Sequence, residues 1–67
     1  MARGTVTWFS DRKGYGFIAM EGRGDVFVHH TAIEGRGFRT LSVGDQVECE
    51  VQTGERGPEA AHVTRLM

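Results

Sequence analysis

Glycine-centred turn signals divide this chain into segments that are too short to be independent helices. No stretch repeats apolar residues at the i, i+3, i+4, i+7 spacing over three turns, and at most one helical turn is expected, at residues 31–34. Short segments separated by glycine are typical of β-strands, so the sequence predicts an all-β fold. The turn signals fall at Gly14 and within residues 21–24, 35–37, 44–45 and 54–58.

The length of the chain decides how those strands are arranged. With 67 residues it holds one domain, and a chain of this size buries only about 60% of the surface that it exposes when unfolded. A sheet this small must curl onto itself to bury one face and to protect its outer strands. We therefore expect a single domain over residues 1–67, built as a small five-stranded antiparallel β-barrel.

Alternation is clearest in residues 46–52. Val47, Cys49 and Val51 share one parity, while polar and acidic residues occupy the other, which predicts a half-buried strand with an acidic outer face. Cys49 is then a core residue, and a single cysteine without an intrachain partner suits a reducing compartment. A strand is also expected in the last segment, although its apolar residues change parity: Ala60, Ala61, Val63 and Leu66.

Charge and hydropathy exclude some classes of partner. Eight Lys and Arg against nine Asp and Glu give a formal net charge of −1, which argues against a partner held mainly by bulk electrostatics. Residues 1–39 carry a net charge of +2 and every aromatic residue, whereas residues 40–67 carry −3. No apolar run approaches the roughly 20 residues of a membrane span, and the N-terminus lacks the apolar core of a signal peptide. We therefore expect a cytoplasmic protein with no membrane partner.

Two neighbouring segments, residues 13–18 and 25–30, separate aliphatic from aromatic side chains. Successive side chains of a strand point to opposite faces. If a hairpin through residues 21–24 joins the two segments, the aliphatic parity fills the core with Ile18, Val26 and Val28. The opposite face then carries Lys13, Tyr15, Phe17, Asp25, Phe27 and His29.

Outward rings on a small soluble protein indicate an interaction surface. Flat rings beside a cation such as Lys13 suit unstacked bases, because every base has a π-face and stacking contributes about 1–3 kcal/mol per base. Two alternatives stay open: the rings form a second core or a dimer interface, or they bind another protein chain. Lys13 and His29 on the ring face argue against a dimer interface, which would favour aliphatic side chains.

The sequence resembles the cold-shock domain family from about Gly4 to Val63. Lys-Gly-Tyr-Gly-Phe-Ile at 13–18 and Val-Phe-Val-His-His at 26–30 are similar to the two ribonucleoprotein motifs of that family. The resemblance implies a barrel of the oligonucleotide-binding (OB) fold that binds single-stranded RNA and single-stranded DNA without catalysis, as an RNA chaperone does. The binding residues that it implies, with weaker claims for Phe9 and Arg56, are Trp8, Phe9, Lys13, Tyr15, Phe17, Asp25, Phe27, His29, His30, Phe38 and Arg56.

Two arguments disagree about the face on which Trp8 lies, and two roles are possible for Asp25. Strict alternation puts Trp8 on the same face as Val6, whereas the resemblance places it outside, which needs a bulge or a strong local twist near Thr7. We expect the outward position. Asp25 repels phosphate, so it either accepts a hydrogen bond from a base amino group or holds Lys13 in place.

The chain departs from the family pattern at four positions. Thr7 and Ser10 stand where the family often has lysine and asparagine, and the loss of the lysine removes one phosphate contact. His30 replaces a usual phenylalanine; it stacks less strongly, but it can hydrogen-bond a base edge and can make that contact depend on pH. Arg39 replaces a common lysine and adds a planar stacking face.

No combination of residues indicates catalysis or a bound cofactor. Gly14 and Gly16 lack the Gly-Lys-Ser/Thr ending of a phosphate-binding loop. His29 and His30 are adjacent, so in a strand they are expected to point to opposite faces, which argues against a metal site with His62. Paired carboxylates or an activated nucleophile cannot be assembled by spacing. We expect a monomer with no catalytic residue, metal, cofactor or small-molecule substrate.

Overall fold

A computed structural model describes residues 1–35 and 40–66, and these form a closed barrel of five strands. Around the barrel the strands follow the order β1-β2-β3-β5-β4, and β4 pairs with β1 to close the ring. A single 3₁₀ turn, His30–Ala32, follows β3. No helix among the residues described is long or apolar enough to cross a bilayer. The strands are β1 (Ala2–Ser10), β2 (Tyr15–Met20), β3 (Gly24–His29), β4 (Gln46–Gly54) and β5 (Gly57–Arg65).

The predicted all-β, five-stranded barrel is confirmed, but its strands are not antiparallel throughout. β3 and β5 run parallel, with Phe27 opposite Glu59, while the other four pairings are antiparallel. An odd number of strands cannot alternate in direction all the way around a closed ring, so at least one neighbouring pair must be parallel. The expectation of a purely antiparallel barrel was therefore wrong for geometrical reasons.

The barrel interior is filled by aliphatic side chains, as the alternation in the sequence predicts. Ile18, Val26 and Val28 are fully buried, and no buried polar or charged side chain occurs in the described part of the chain. Cys49 is also buried, and this burial raises the pKa of its thiol, so the thiol stays neutral in the core. The buried apolar residues are Val6, Ile18, Met20, Val26, Val28, Ile33, Leu41, Val47, Cys49, Ala60 and Val63.

A bulge in β5 explains the change of parity in the last segment. Between β4 and β5 the register shifts from Glu48 opposite Thr64 to Glu50 opposite Ala61. His62 lies within the shift and adopts a left-handed backbone with φ of 54°. The extra residue lets Ala60 and Val63, three positions apart, both face the core.

Candidate nucleic-acid interface

A bulge in β1 turns Trp8 out of the barrel. Val6 pairs with Ile18, but the register then shifts so that Trp8 pairs with Phe17. Val6 is 1% exposed and Trp8 is 42% exposed. The Thr7 hydroxyl donates a hydrogen bond of 3.3 Å to the Phe17 carbonyl oxygen, which ties the bulge to β2. Strict alternation is therefore wrong for Trp8, and the expected bulge is confirmed.

Four rings form a continuous cluster on the outer face of β1, β2 and β3. This ring cluster consists of Trp8, Tyr15, Phe17 and Phe27, with centroid separations between neighbours of 5.6 to 6.4 Å. Tyr15 and Phe27 are inclined to each other by 28°, and Trp8 and Phe17 by 33°. Phe17 stands nearly edge-on to Tyr15, at 87°. The cluster thus offers ring faces in two main orientations, all of them at least partly open to solvent.

Close approach of β1 and β2 behind the cluster requires glycine at position 16. A β-carbon there would collide with the carbonyl oxygen of Trp8 and would lie 2.7 Å from Cα of Phe9. Phe9 itself is half-buried and packs against the core, because the bulge that turns Trp8 outward turns the next residue inward. The structure therefore does not bring Phe9 into the ring cluster.

Arg56 joins the ring cluster from the acidic half of the chain. It lies in the turn between β4 and β5, and its guanidinium carbon is 5.0 Å from the centroid of the Phe27 ring, a distance at which a cation is attracted to the ring face. Its main-chain N–H points to a carboxylate oxygen of Glu59 at 3.4 Å, and Glu59 is the register partner of Phe27. Glu59 thus helps to fix the turn that carries Arg56, a contact that no local sequence pattern predicts.

His29 and His30 form a separate pair beside the ring cluster. Their centroids are 4.5 Å apart and their planes are inclined by 39°. The expectation that they point to opposite faces is wrong, because β3 ends at His29 and the 3₁₀ turn begins at His30. The His30 N–H donates to the Gly14 carbonyl oxygen at 2.8 Å. Nδ1 of His29 is 2.9 Å from the Thr31 hydroxyl.

The remaining predicted site residues lie away from these rings or outside the described residues. Lys13 is exposed in the turn before β2. Asp25 is exposed at the other end of the hairpin, opposite Ala19, which puts it about 13 Å along the ribbon from Tyr15. No ion pair within residues 1–35 and 40–66 joins Asp25 to Lys13, so the geometry does not support the second role considered for Asp25. Phe38 and Arg39 lie outside the described residues.

No group of three or more His, Cys, Asp or Glu side chains that could hold a metal ion is present in the described ranges.

The candidate site is a surface made of aromatic rings and a guanidinium group. These groups belong to Trp8, Phe17, Phe27 and Arg56. Such a surface can stack on planar, electron-rich groups and attract anions, which is the chemistry of unstacked bases and their phosphates.

Comparison with known proteins agrees with this geometry. The sequence model of the 'Cold-shock' DNA-binding domain matches residues 2–66. The chain belongs to the cold-shock domain family. This is a family of non-catalytic, nucleic-acid-binding proteins.

Relatives within the cold-shock domain family match almost the whole chain. It is similar to cold shock protein CspB of Bacillus caldolyticus, with 58% identity over 66 residues that cover 98% of this chain and 100% of the relative. The cold shock-like protein of Thermotoga maritima is 59% identical over 61 residues, or 91% of this chain and 92% of the relative.

A solved structure with a similar fold is drosophila Unr CSD456, with a TM-score of 0.80 and 25% identity. It covers 98% of this chain, which spans only about a quarter of that larger structure, 26% of its length. The comparison supports the OB-type barrel of cold-shock domains.

Proposed function

We propose that this cold-shock domain binds single-stranded RNA and single-stranded DNA by stacking unpaired bases on the ring cluster. The observation that carries the proposal is the separation of side chains in β2 and β3. Aliphatic residues fill the barrel, while Tyr15, Phe17 and Phe27 stay at least partly open on its outer face and touch one another. Because these rings contribute little to the core, they are available for contact with a ligand outside the barrel.

Each side chain of the site has a role that its chemistry suggests. Phe17, Phe27 and His29 stack on central bases, Trp8 extends the track at one end, and Tyr15 adds a ring with a hydroxyl. Arg56 covers the face of Phe27 and meets a base or a phosphate of the strand. Lys13 contacts phosphate, and Asp25 accepts a hydrogen bond from a base amino group. Phe9 supports the Trp8 backbone from the core side.

Phe38 is part of the same proposal, as an extension of the stacking track. Two positions further along the chain, the Thr40 hydroxyl donates a hydrogen bond to the Asp11 carboxylate. Asp11 belongs to the turn that also carries Lys13. Thr40, two positions after Phe38 in the sequence, is thus tied to the turn that precedes β2.

An RNA chaperone function follows from stacking without a chemical step. A protein that binds unpaired bases and not the duplex shifts the equilibrium of weak RNA secondary structure toward the open form by mass action, with no ATP required. We therefore propose a monomeric, cytoplasmic protein of one cold-shock domain, residues 1–67, that destabilises RNA structure and thereby affects transcription or translation. It has no catalytic residue, cofactor or small-molecule substrate.

The test is a fluorescence titration of Trp8, the single tryptophan. A thymine-rich single strand of six to eight bases is added, and the matching duplex serves as the control. We expect the Trp8 fluorescence to be quenched at micromolar or lower strand concentration. We expect no quenching with duplex, because only unpaired bases expose a π-face to the rings. Phe27→Ser should reduce the quenching strongly.

Two results would contradict this function. Equal affinity for duplex and single strand would mean that the phosphates, not the bases, are recognised. Absence of binding to either one, together with a concentration-dependent dimer in light scattering that disappears in Phe27→Ser, would assign the ring cluster to protein contact instead.

A further inference from the structure

A polar groove opens on the barrel surface over β1, the end of β2 and the start of β4. Its volume is about 390 Å³, which lies within the range of about 300–1,000 Å³ typical of small-ligand sites. None of the residues that line it belongs to the ring cluster. The side chains that give the polar groove its chemistry are Arg3, Thr5, Ala19, Glu21 and Gln46.

The register of the sheet places the polar groove directly beside the ring cluster. Ala19 follows Phe17 by two residues on β2, so both side chains lie on the outer face, about 7 Å apart along the strand. Ala19 pairs with Thr5 on β1, and Thr5 pairs with Gln46 on β4. The row of rings is therefore followed by a row of small and polar side chains, and a strand that stacks on Phe17 lies next to the polar groove.

One hydrogen bond holds the Gln46 amide at the polar groove. Nε2 of Gln46 donates to Oγ1 of Thr5 at 2.9 Å. A primary amide has two N–H donors and one acceptor oxygen, so this bond uses one donor and leaves the second N–H and Oε1 for a ligand. The side chain of Ala19 is a single methyl group, which leaves room above it for a planar ring.

The charges around the polar groove favour a base over a phosphate. Glu21 lines it with a carboxylate, which repels a phosphate. Arg3 supplies a cation, but its Nε lies 3.6 Å from the carboxylate of Glu48, so its charge is already partly balanced. Carboxylate and amide oxygens accept hydrogen bonds from the amino groups of bases, as Glu does from cytosine N4 and Gln from adenine N6. The acceptors of Glu21 and Gln46 therefore suit an amino-bearing base.

We propose that the polar groove holds one base of the bound strand and selects adenine or cytosine over thymine or uracil. The amino group of that base donates to Oε1 of Gln46 and to the Glu21 carboxylate, and the second Gln46 N–H donates to the neighbouring ring nitrogen. Thymine and uracil present a carbonyl oxygen in place of the amino group, which the two acceptors do not bind. The inference rests on the proposed function and adds base selectivity to it.

The expected selectivity is modest, because the polar groove is open to solvent. A hydrogen bond at such a position replaces one to water, so its net contribution is small. We expect a strand with one adenine to bind about three- to tenfold more tightly than the same strand in which that adenine lacks its amino group. Cytosine in place of one thymine should give a preference in the same direction.

The test is a titration of the full chain, followed by Trp8 fluorescence, with eight-base thymine strands that carry one adenine at each position in turn. Matched strands carry nebularine, which is adenine without the amino group and keeps the ring for stacking. Gln46→Met keeps the length of the side chain and removes the amide, and Glu21→Gln removes the charge. Glu50→Gln is the matched control, because it removes an exposed carboxylate of β4 that does not line the polar groove.

The outcomes separate this inference from the proposed function. It is supported if the wild type prefers adenine to nebularine, if Gln46→Met loses most of the preference and Glu21→Gln part of it, and if Glu50→Gln keeps it. Equal affinity of the wild type for both strands would overturn the base contact and leave the stacking function intact. A preference that persists in both groove variants would place the amino group elsewhere and also overturn it. No binding of any strand, all-thymine included, would overturn the stacking function itself.

Discussion

Phe17 and Ile18 are neighbours in β2, yet their side chains lie on opposite faces of the strand and have different roles. Ile18 is fully buried in the barrel, whereas Phe17 is half-buried on the outer face and contacts Trp8, Tyr15 and Phe27. The burial of Ile18 removes apolar surface from water in every folded molecule. Phe17 keeps much of its ring available, so its main contribution is expected when a base covers it.

Replacing these two side chains should therefore separate binding from stability. We expect Phe17→Ala to weaken single-strand binding by about 1–3 kcal/mol, the value for one stacked base, with a smaller effect on the free energy of unfolding. Ile18→Ala, the matched core variant, should lower the free energy of unfolding by roughly 2–5 kcal/mol. Strand titration and urea denaturation of both variants measure these effects. Equal destabilisation by both would place Phe17 in the core.

The ring cluster could be predicted only in part from the sequence. Alternation in β2 and β3 places Tyr15, Phe17 and Phe27 together because both strands are regular. Trp8 follows a bulge, and a single inserted residue reverses the face of everything after it. Arg56 comes from a turn far along the chain, and its position over Phe27 depends on the closure of the barrel, which local periodicity does not encode.

At the scale of elements, two bulges adapt regular strands to a small barrel. The bulge in β1 re-aims Trp8, and the bulge in β5 keeps Ala60 and Val63 in the core. Each has its own local requirement: β1 needs a glycine opposite it at position 16, and β5 needs a residue that accepts left-handed backbone at position 62. Both are requirements on single residues that the hydrophobic pattern alone does not express.

We expect Gly16→Ala to destabilise the barrel by about 1–3 kcal/mol, the usual cost of overpacking. The added methyl group would meet main-chain atoms of Trp8 and Phe9, which cannot rotate away as a flexible side chain could. β1 must then separate from β2, which moves Trp8. Urea denaturation measures the loss, and a shift of the Trp8 emission maximum reports the movement. An unchanged midpoint and an unchanged spectrum would mean that a β-carbon fits at position 16 without displacing β1, which would contradict the close approach of the two strands.

The β5 bulge also carries a pH-sensitive contact. The hydrogen bond that His62 Nδ1 donates to the Glu34 carboxylate, with the negative charges of Glu50 and Glu34, raises the pKa of His62 above its ordinary value. A raised folded-state pKa means that the ion pair stabilises the fold fully below about pH 6.5 and that this stabilisation is lost as the pH rises through the folded-state pKa. The contact links β5 to the segment after the 3₁₀ turn, where the Glu34 N–H donates to the Val63 carbonyl oxygen at 2.8 Å.

Glu34→Gln should therefore lower the urea midpoint more at pH 6.0 than at pH 8.5. The glutamine keeps the size of the side chain and removes the charge, so the difference between the two pH values isolates the ion pair. Because the pair is exposed, the difference should shrink in 1 M salt. A larger loss at pH 8.5 would mean that Glu34 stabilises the fold through something other than protonated His62.

On the scale of the whole molecule, the acidic side chains of β4 lie on a different strand from the ring cluster. β4 turns exposed or half-buried Glu48 and Glu50 outward, while the ring cluster covers β1, β2 and β3. With a net charge of −1, the molecule has little long-range attraction for a polyanion. Affinity must then come mostly from stacking, with a small number of phosphate contacts.

A shallow salt dependence should follow from that distribution. At pH 8 we expect the logarithm of the association constant to fall with the logarithm of salt concentration at a slope of about −2 to −4, since a single strand loses about 0.7 counterions per phosphate contact. Titrations of one strand between 50 mM and 500 mM salt measure it. A slope steeper than about −6 would contradict a binding mode led by stacking.

The architecture was easier to predict than the site, and the reason is geometrical. Glycine turns set the number of strands, and the small size required them to close. The parallel pairing of β3 with β5 follows from the odd number of strands, so counting them would have been enough to expect it. The two bulges could not be derived in this way, because each depends on how far two particular strands approach each other.

Closure of the barrel also bears on how this protein behaves at high concentration. Each of the five strands has a neighbour on both sides, although β3 and β5 share a single register pair, so no strand presents a fully open edge to template cross-β stacking between copies. Exposed apolar side chains and open backbone edges together drive amyloid-like assembly, and closure shortens the open edges in the folded state. The molecule can thus display four aromatic rings and still resist ordered aggregation, and the risk is confined to moments when the barrel opens.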